Sequence, residues 1–119
     1  MGLFGKLFGK GTPKEKHPRM VSNQYLAEQD GLFVQLFDFW GDTITVKIDR
    51  TDWEDELSLR KTNQVIDWLN VNQFRIESHL SAQSKSFAEI NTVTVTKKES
   101  IIILANEEEV ILTDEFTIQ

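Results

Sequence analysis

Apolar residues recur at helical spacing over one long stretch, Thr62–Leu80. Four aliphatic residues of this stretch form a stripe: Val65, Leu69, Ile76 and Leu80. With an advance of 100° per residue they fall within about 60° of one another, and Ile66 and Trp68 widen the stripe. Burial of each aliphatic side chain contributes roughly 1.5–3 kcal/mol, so the stripe gives the helix a substantial docking energy. The pattern predicts one long amphipathic helix lying on a sheet.

Before this stretch the pattern has the two-residue period of β-strands. Leu32–Trp40 is apolar on both alternating faces except at Gln35 and Asp38, as expected of a central strand. Thr43–Ile48 alternates strictly between apolar and polar residues. Because Gly41-Asp42 permits a reversal between them, the two strands are predicted to form a hairpin.

Strand patterns return after the helix, at Thr92–Thr96, Ile101–Ala105 and Val110–Leu112, and they continue towards Phe116 and Ile118. The order of elements predicts an α+β domain with a mainly antiparallel β-sheet and one long amphipathic helix packed on one face. A final strand at a sheet edge needs a partner or a cover, so we also consider a homodimer formed through this terminal strand.

Three local features stay open at this stage. A short strand or a turn of helix is expected around Tyr25, before a turn at Asp30-Gly31. Thr51 and Glu54 have the spacing of a capping box, which would start the helix there. A start at Ser58 or at Thr62 is the alternative. It either runs on to about Glu89 or breaks near Ser81–Ser84.

The composition excludes several classes of protein. The chain has 119 residues, enough for one domain, and no cysteine, which removes disulfides, thiolate metal sites and cysteine nucleophiles. The longest apolar runs are far shorter than the roughly 20 residues that a transmembrane helix needs. We therefore expect a cytoplasmic protein without a transmembrane segment.

Charge divides the chain into two parts. Residues 1–20 carry five bases and one acid, whereas residues 21–119 carry eight bases and eighteen acids, a net charge of −10. We predict a flexible basic N-terminal tail and linker (1–20) followed by a single acidic domain (21–119). The tail pairs Leu3, Phe4, Leu7 and Phe8 with lysines, so weak contact with an anionic membrane surface is considered. The acidic domain disfavours nucleic acid and favours a basic protein partner, although it also serves solubility.

The densest acidic stretch is the candidate partner-binding surface. Its members are Asp49, Asp52, Trp53, Glu54, Asp55 and Glu56. The stretch lacks the glycine and the alternating carboxylates of a calcium loop, so helix capping, solvated charge or partner contact are the alternatives. A tryptophan among carboxylates has the composition of an interface centre and its rim, and the aromatic pair Phe39 and Trp40 is added to the candidate surface.

No motif indicates catalysis or a cofactor. His17 and His79 are too few and too separated for a metal site, and no glycine-rich phosphate loop or serine elbow is present. A hydrolytic or ligand site near His79 is the third choice among the hypotheses. We predict no catalytic residue, no metal and no cofactor, and a protein that is not an enzyme.

The Met-Gly-Leu-Phe-Gly-Lys start, the hairpin, the helix with Trp68-Leu69 and the β-rich end resemble small bacterial domains of uncharacterised function over residues 1–115. Some of these are thought to be immunity proteins against bacterial toxins. The resemblance implies a non-enzymatic domain that neutralises a basic partner through an acidic surface. The alternative is a structural or regulatory module tethered to a membrane surface or complex by its basic tail.

Overall fold

The computed structural model of the protein describes residues 18–119, which form six strands and one long helix. A single 3₁₀ turn, Asn23–Tyr25, precedes the first strand. The elements are β1 Ala27–Gln29, β2 Leu32–Phe39, β3 Asp42–Ile48, α1 Asp55–Ala82, β4 Ile90–Val95, β5 Glu99–Leu104 and β6 Glu109–Thr113. The prediction of an α+β fold with one long helix is confirmed.

The six strands lie in one sheet in chain order, from β1 to β6. All neighbouring strands are antiparallel except β3 and β4, which are parallel and are connected by α1. Parallel neighbours require a long crossover, and the helix supplies it. As a result β3 ends, and α1 begins, at one end of the sheet, while α1 returns the chain to the other end for β4.

Two-residue turns connect the first three strands. Asp30 and Gly31 have φ angles of 53° and 84°, and Trp40 and Gly41 have 55° and 84°. Positive φ at both positions is the signature of a type I′ turn, which matches the twist of an antiparallel pair. The turn at Asp30-Gly31 was predicted; the second reversal lies one residue earlier than predicted, because Asp42 already pairs with Phe39.

The helix begins at Asp55, with Glu54 as an N-cap that makes no side-chain capping bond. The predicted capping box is wrong, because Thr51 donates both its backbone N–H and its hydroxyl to Asp49. At the other end the helix stops at Ala82, and Ser84 has a φ of 60°, so the chain breaks where one of the two alternatives placed it.

The predicted stripe of α1 is buried: Val65, Ile66, Leu69, Ile76 and Leu80. Within it, Asn72 departs from helical geometry (φ −124°, ψ 22°) and donates its side-chain amide to the Trp68 carbonyl at 2.9 Å. A side chain that competes for a helix carbonyl is a common cause of a kink. The helix therefore bends halfway along its length.

Only one face of the sheet is covered by the helix. The inward side chains of the five strands β2 to β6 alternate as expected and are buried: Phe37, Phe39, Ile44, Val46, Ile48, Val93, Val95, Ile102, Leu104, Val110 and Leu112. On the opposite face the alternating positions are more polar, and Leu36 keeps 47% of its surface exposed. The described part of the chain places no element over that face.

Both ends of the described chain fold against the sheet. Pro18 accepts a hydrogen bond from the Asp38 backbone at 3.1 Å, so part of the predicted linker belongs to the domain; residues 1–17 lie outside the described residues. At the C-terminal end, Ile118 bridges to Leu112 and the Gln119 N–H donates to Ile111. These residues cover part of the outer edge of β6. Dimerisation through that edge stays a prediction.

Candidate partner-binding surface

The predicted acidic stretch forms the connection between β3 and α1, where several of its side chains make internal contacts. Asp49 accepts two hydrogen bonds from Thr51, at 2.6 Å from the hydroxyl and 3.0 Å from the backbone N–H. These two bonds stabilise the carboxylate and lower the pKa of Asp49 below its ordinary value. Asp49 thus shapes the loop.

Trp53 is half-buried beneath the same connection. Its indole N–H donates to the Asp49 carbonyl at 2.8 Å, and its ring packs against the core. The Lys61 ammonium lies 6.0 Å from the centre of the ring. Because both the polar end and one face of the indole have internal partners, Trp53 stabilises the connection between β3 and α1 and offers little surface to another protein.

Basic side chains contact two further residues of the stretch, Asp55 at its carboxylate and Asp52 at its backbone carbonyl. The Arg50 guanidinium, whose side chain is 8% exposed, lies 3.6 Å from Asp55. Lys97 donates to the Asp52 carbonyl at 2.9 Å. Glu54 and Glu56 are exposed, and no ion pair to either occurs within residues 18–119. The charge at this end of the sheet is therefore mixed.

The predicted aromatic pair divides between the core and the surface. Phe39 is 7% exposed and belongs to the core, whereas Trp40 is 68% exposed in the following turn. The seven residues of β3 separate Trp40 from Asp49. At 3.3 Å per residue this is roughly 23 Å, so the two parts of the predicted surface lie at opposite ends of the sheet.

Trp40 stands at the edge of a cleft between the β2–β3 turn and the middle of α1. The cleft has a volume of about 540 Å³, and Phe37 and Phe39 contribute to its wall. Asp38 and Asp67 also line it, and Arg19 lies 3.5 Å from Asp38. The lining of the cleft thus combines aromatic rings, two carboxylates and one exposed arginine.

Further carboxylates line the same end of the sheet. We call Asp42, Glu89, Glu107 and Glu109 the acidic edge. Because β3 and β4 are parallel, Asp42 at the start of β3 and Glu89 just before β4 lie at the same end of the sheet, and the Ala105 N–H donates to the Glu89 carbonyl at 2.8 Å. All four are exposed, and within residues 18–119 none forms an ion pair. From β3 to β6 the row extends about 14 Å.

Sequence analysis missed the acidic edge because its members come from three separate segments. Only the strand register brings them together. Asp38 and Asp67 were also missed, although Asp38 carried a signal as the one charged residue inside the predicted strand Leu32–Trp40.

The third predicted region, around His79, forms a shallow cleft of about 650 Å³ between α1 and the C-terminal residues. His79 lies 3.3 Å from the Gln83 amide nitrogen, and Arg75 and Ser78 also line the cleft. Among residues 18–119, no group of three His, Asp or Glu side chains is placed to hold a metal ion. Nor is any helix there long and apolar enough to cross a membrane.

Comparisons of the chain with protein-family models, with curated proteins and with solved structures find no match.

Proposed function

We propose that this chain is a non-enzymatic protein-binding domain that binds a basic protein through the end of the sheet carrying Trp40 and the acidic edge. The observation that supports the proposal is the conformation of Trp40, which is 68% exposed and has a φ of 55°. Large side chains rarely adopt this conformation, and the position favours Asn, Asp or Gly. A large apolar residue whose backbone is strained and whose side chain is exposed contributes little to folding. Contact with a partner would explain why such a residue stands at this position.

The surroundings of Trp40 specify the kind of partner. A tryptophan at the centre of an interface commonly supplies a large share of the binding energy, and polar groups at the rim set specificity. Here the rim carries Asp38, Asp67 and the acidic edge. Such a surface favours a lysine- or arginine-rich protein segment with an apolar residue at its centre. Neutralisation of a basic toxin, as in an immunity protein, is a function of this type.

The test begins with capture of partners from the native host by the tagged full chain, followed by titration of the purified partner. We expect a basic protein whose affinity falls about 30-fold or more with Trp40→Ser, since an interface tryptophan contributes 2 kcal/mol or more. Paired Asp42→Lys and Glu89→Lys changes should weaken binding at low salt and reduce its salt dependence. Val71→Ser is the matched control, because Val71 is also 68% exposed, on the helix.

Two comparison variants separate this surface from the other hypotheses. The triple change Asp52→Lys, Glu54→Lys and Glu56→Lys tests the predicted acidic stretch at the opposite end of the sheet. Deletion of residues 1–17 tests tethering by the basic tail. Loss of the partner in either comparison variant, together with full binding by the Trp40 and acidic-edge variants, would refute the proposal.

A further inference from the structure

A second apolar surface lies on the open face of the sheet, away from the acidic edge. It is a cavity of about 500 Å³ lined in part by Pro18, Tyr25, Val34 and Leu36. Tyr25 is 45% exposed and Leu36 47%. Exposed large apolar side chains that cluster in this way mark a surface that another group covers.

The cavity lies at the edge of β2 because the neighbouring strand is short. β1 pairs only with the first part of β2, and its last contact joins Ala27 to Val34. Four residues further on, the Asp38 N–H donates to the Pro18 carbonyl at 3.1 Å. Between these two contacts β2 pairs with β3 on one side, where Leu36 lies opposite Thr45, but within residues 18–119 no strand pairs with its other side, so a groove stays open there.

The chain itself supplies a segment suited to this groove. Within residues 1–17, Leu3, Phe4, Leu7 and Phe8 form two apolar pairs four residues apart. This spacing places them on one face of a helical turn. The segment joins the domain at Pro18, which lines the cavity. An apolar group held this close to an apolar groove experiences a local concentration in the millimolar range.

Chain length permits the contact. Nine residues separate Phe8 from Pro18, and at most 3.3–3.6 Å per residue they reach roughly 30 Å. The groove begins at Pro18 itself, so the linker can fold back without being fully extended. We propose that Leu3–Phe8 of the same chain docks in the groove beside Leu36 and covers the open face of β2. This contact is independent of the Trp40 surface.

The absence of cysteine from the chain allows a direct test. Lys10→Cys introduces a single attachment site for a nitroxide spin label next to the apolar pairs. In the full-length protein labelled with nitrogen-15, we expect the amide signals of Val34, Leu36 and Thr45 to lose at least half of their intensity, recovered on reduction of the label. The amides of Val71 and Phe74, on the exposed side of the helix, should keep theirs.

Two variants test whether the contact is specific. The paired changes Phe4→Ser and Phe8→Ser remove the two aromatic side chains of the Leu3–Phe8 segment and should restore the Leu36 signal. Leu36→Lys should do the same from the groove, whereas Val71→Lys, an equally polar change at an exposed apolar residue on the helix, should leave the signal loss unchanged. Signal loss that survives both Phe4→Ser with Phe8→Ser and Leu36→Lys would overturn the proposal.

Other occupants give different results. In a second sample, nitrogen-15 protein without a spin label is mixed with spin-labelled protein of natural isotope content. Signal loss in this mixture would show that the segment of a second copy occupies the groove, and it would overturn docking within one chain. Signal loss centred on Trp40 and Asp67 would place the segment in the other cleft and equally refute it. If the Leu36 signal is unaffected in buffer and the label is immobilised only with anionic phosphatidylglycerol vesicles, membrane contact replaces the proposal.

Discussion

Asn63 fixes the N-terminal part of the described domain to the helix, and its removal gives the sharpest test of the fold. Its side-chain oxygen accepts from the Val21 N–H at 3.1 Å, and its amide nitrogen donates to the Val21 carbonyl at 3.0 Å. Val21 is 1% exposed and belongs to the core. One side chain thus satisfies both backbone groups of a buried residue that has no strand partner in the sheet.

Gln35 makes the complementary contacts on the neighbouring residues. Its amide donates to the Met20 carbonyl at 2.8 Å and its oxygen accepts from the Ser22 N–H at 3.1 Å. Loss of Asn63 leaves these two bonds in place. The Asn63 amide also donates to the Leu59 carbonyl of the same helix at 3.2 Å. The expected cost is therefore mainly that of the two hydrogen bonds to Val21, each about 0.5–1.5 kcal/mol net, plus part of the penalty for unpaired buried groups. We expect Asn63→Ala to lower the free energy of unfolding by about 2–3 kcal/mol.

Asn63→Asp separates the two bonds. It keeps the acceptor for the Val21 N–H but replaces the donor to the Val21 carbonyl with a carboxylate oxygen, so at neutral pH we expect a loss at least as large as that of Asn63→Ala. Urea unfolding followed by tryptophan fluorescence measures both, with Gln64→Ala as the exposed neighbouring control. Amide exchange at Val21 should accelerate in Asn63→Ala. A change below 0.5 kcal/mol with a still protected Val21 amide would refute this account of the clamp.

Three smaller effects follow from single positions. Trp40→Asn should raise stability in thermal unfolding by up to about 1 kcal/mol, because Asn tolerates the positive φ, while it weakens partner binding; lower stability would show that the ring supports the fold. Ser100→Ala should be neutral or stabilising by about 1 kcal/mol in urea unfolding, because the buried Ser100 hydroxyl has no hydrogen-bond partner. The lowered pKa of Asp49 stabilises the folded state above its ordinary value near 4, and this contribution is lost as pH falls through the folded pKa. Asp49→Asn should therefore be less stable than wild type at pH 7, with the difference closing below pH 4; a gap that is constant with pH would contradict the role of the carboxylate.

Periodicity predicted the long helix and the strands that carry strong apolar alternation, since burial on one face imposes it. It missed the first turns of α1, where Ser58, Lys61 and Thr62 face inward. These polar residues are buried because specific partners satisfy them: Arg50 for Ser58, Asp114 for Lys61 and the Ser58 carbonyl for Thr62. Only Asp114 is distant in the chain, but polar contacts of this kind leave no apolar periodicity, so a hydrophobic pattern cannot reveal them.

A short strand or a turn of helix was expected before Asp30-Gly31, and the chain has both, but the bounds of β1 and the parallel register were beyond sequence reasoning. The strand Ala27–Gln29 is exposed throughout and has no apolar alternation. It pairs with β2 because the Asp30-Gly31 turn brings it back, and a turn signal does not say how long the returning strand will be. The pairing of Val46 with Val93 joins residues 47 positions apart. Nothing local to either strand specifies that partner.

The candidate site shows the same division between local and long-range information. Phe39 and Trp40 are adjacent and were predicted together, yet the alternation of β2 sends Phe39 into the core and leaves Trp40 in the turn. The acidic residues near Trp40 were missed for the opposite reason, since Asp42 and Glu89 come to the same end of the sheet only through the parallel pairing of β3 and β4. Charge density along the chain therefore directed attention to the opposite end of the sheet.

Two aromatic residues, Trp40 and Phe116, have positive φ angles that disfavour large side chains, but Phe116 packs against the core whereas Trp40 is exposed. The preceding turn, Asp30-Gly31, has the same two positive φ angles and uses a residue suited to them. At the second turn the chain has tryptophan, which gains neither a relaxed backbone nor burial. In proteins whose local and global preferences otherwise agree, such a conflict is expected at functional positions. The contrast between two equivalent turns of one hairpin series is thus an internal control, and it favours selection of Trp40 for contact with a partner.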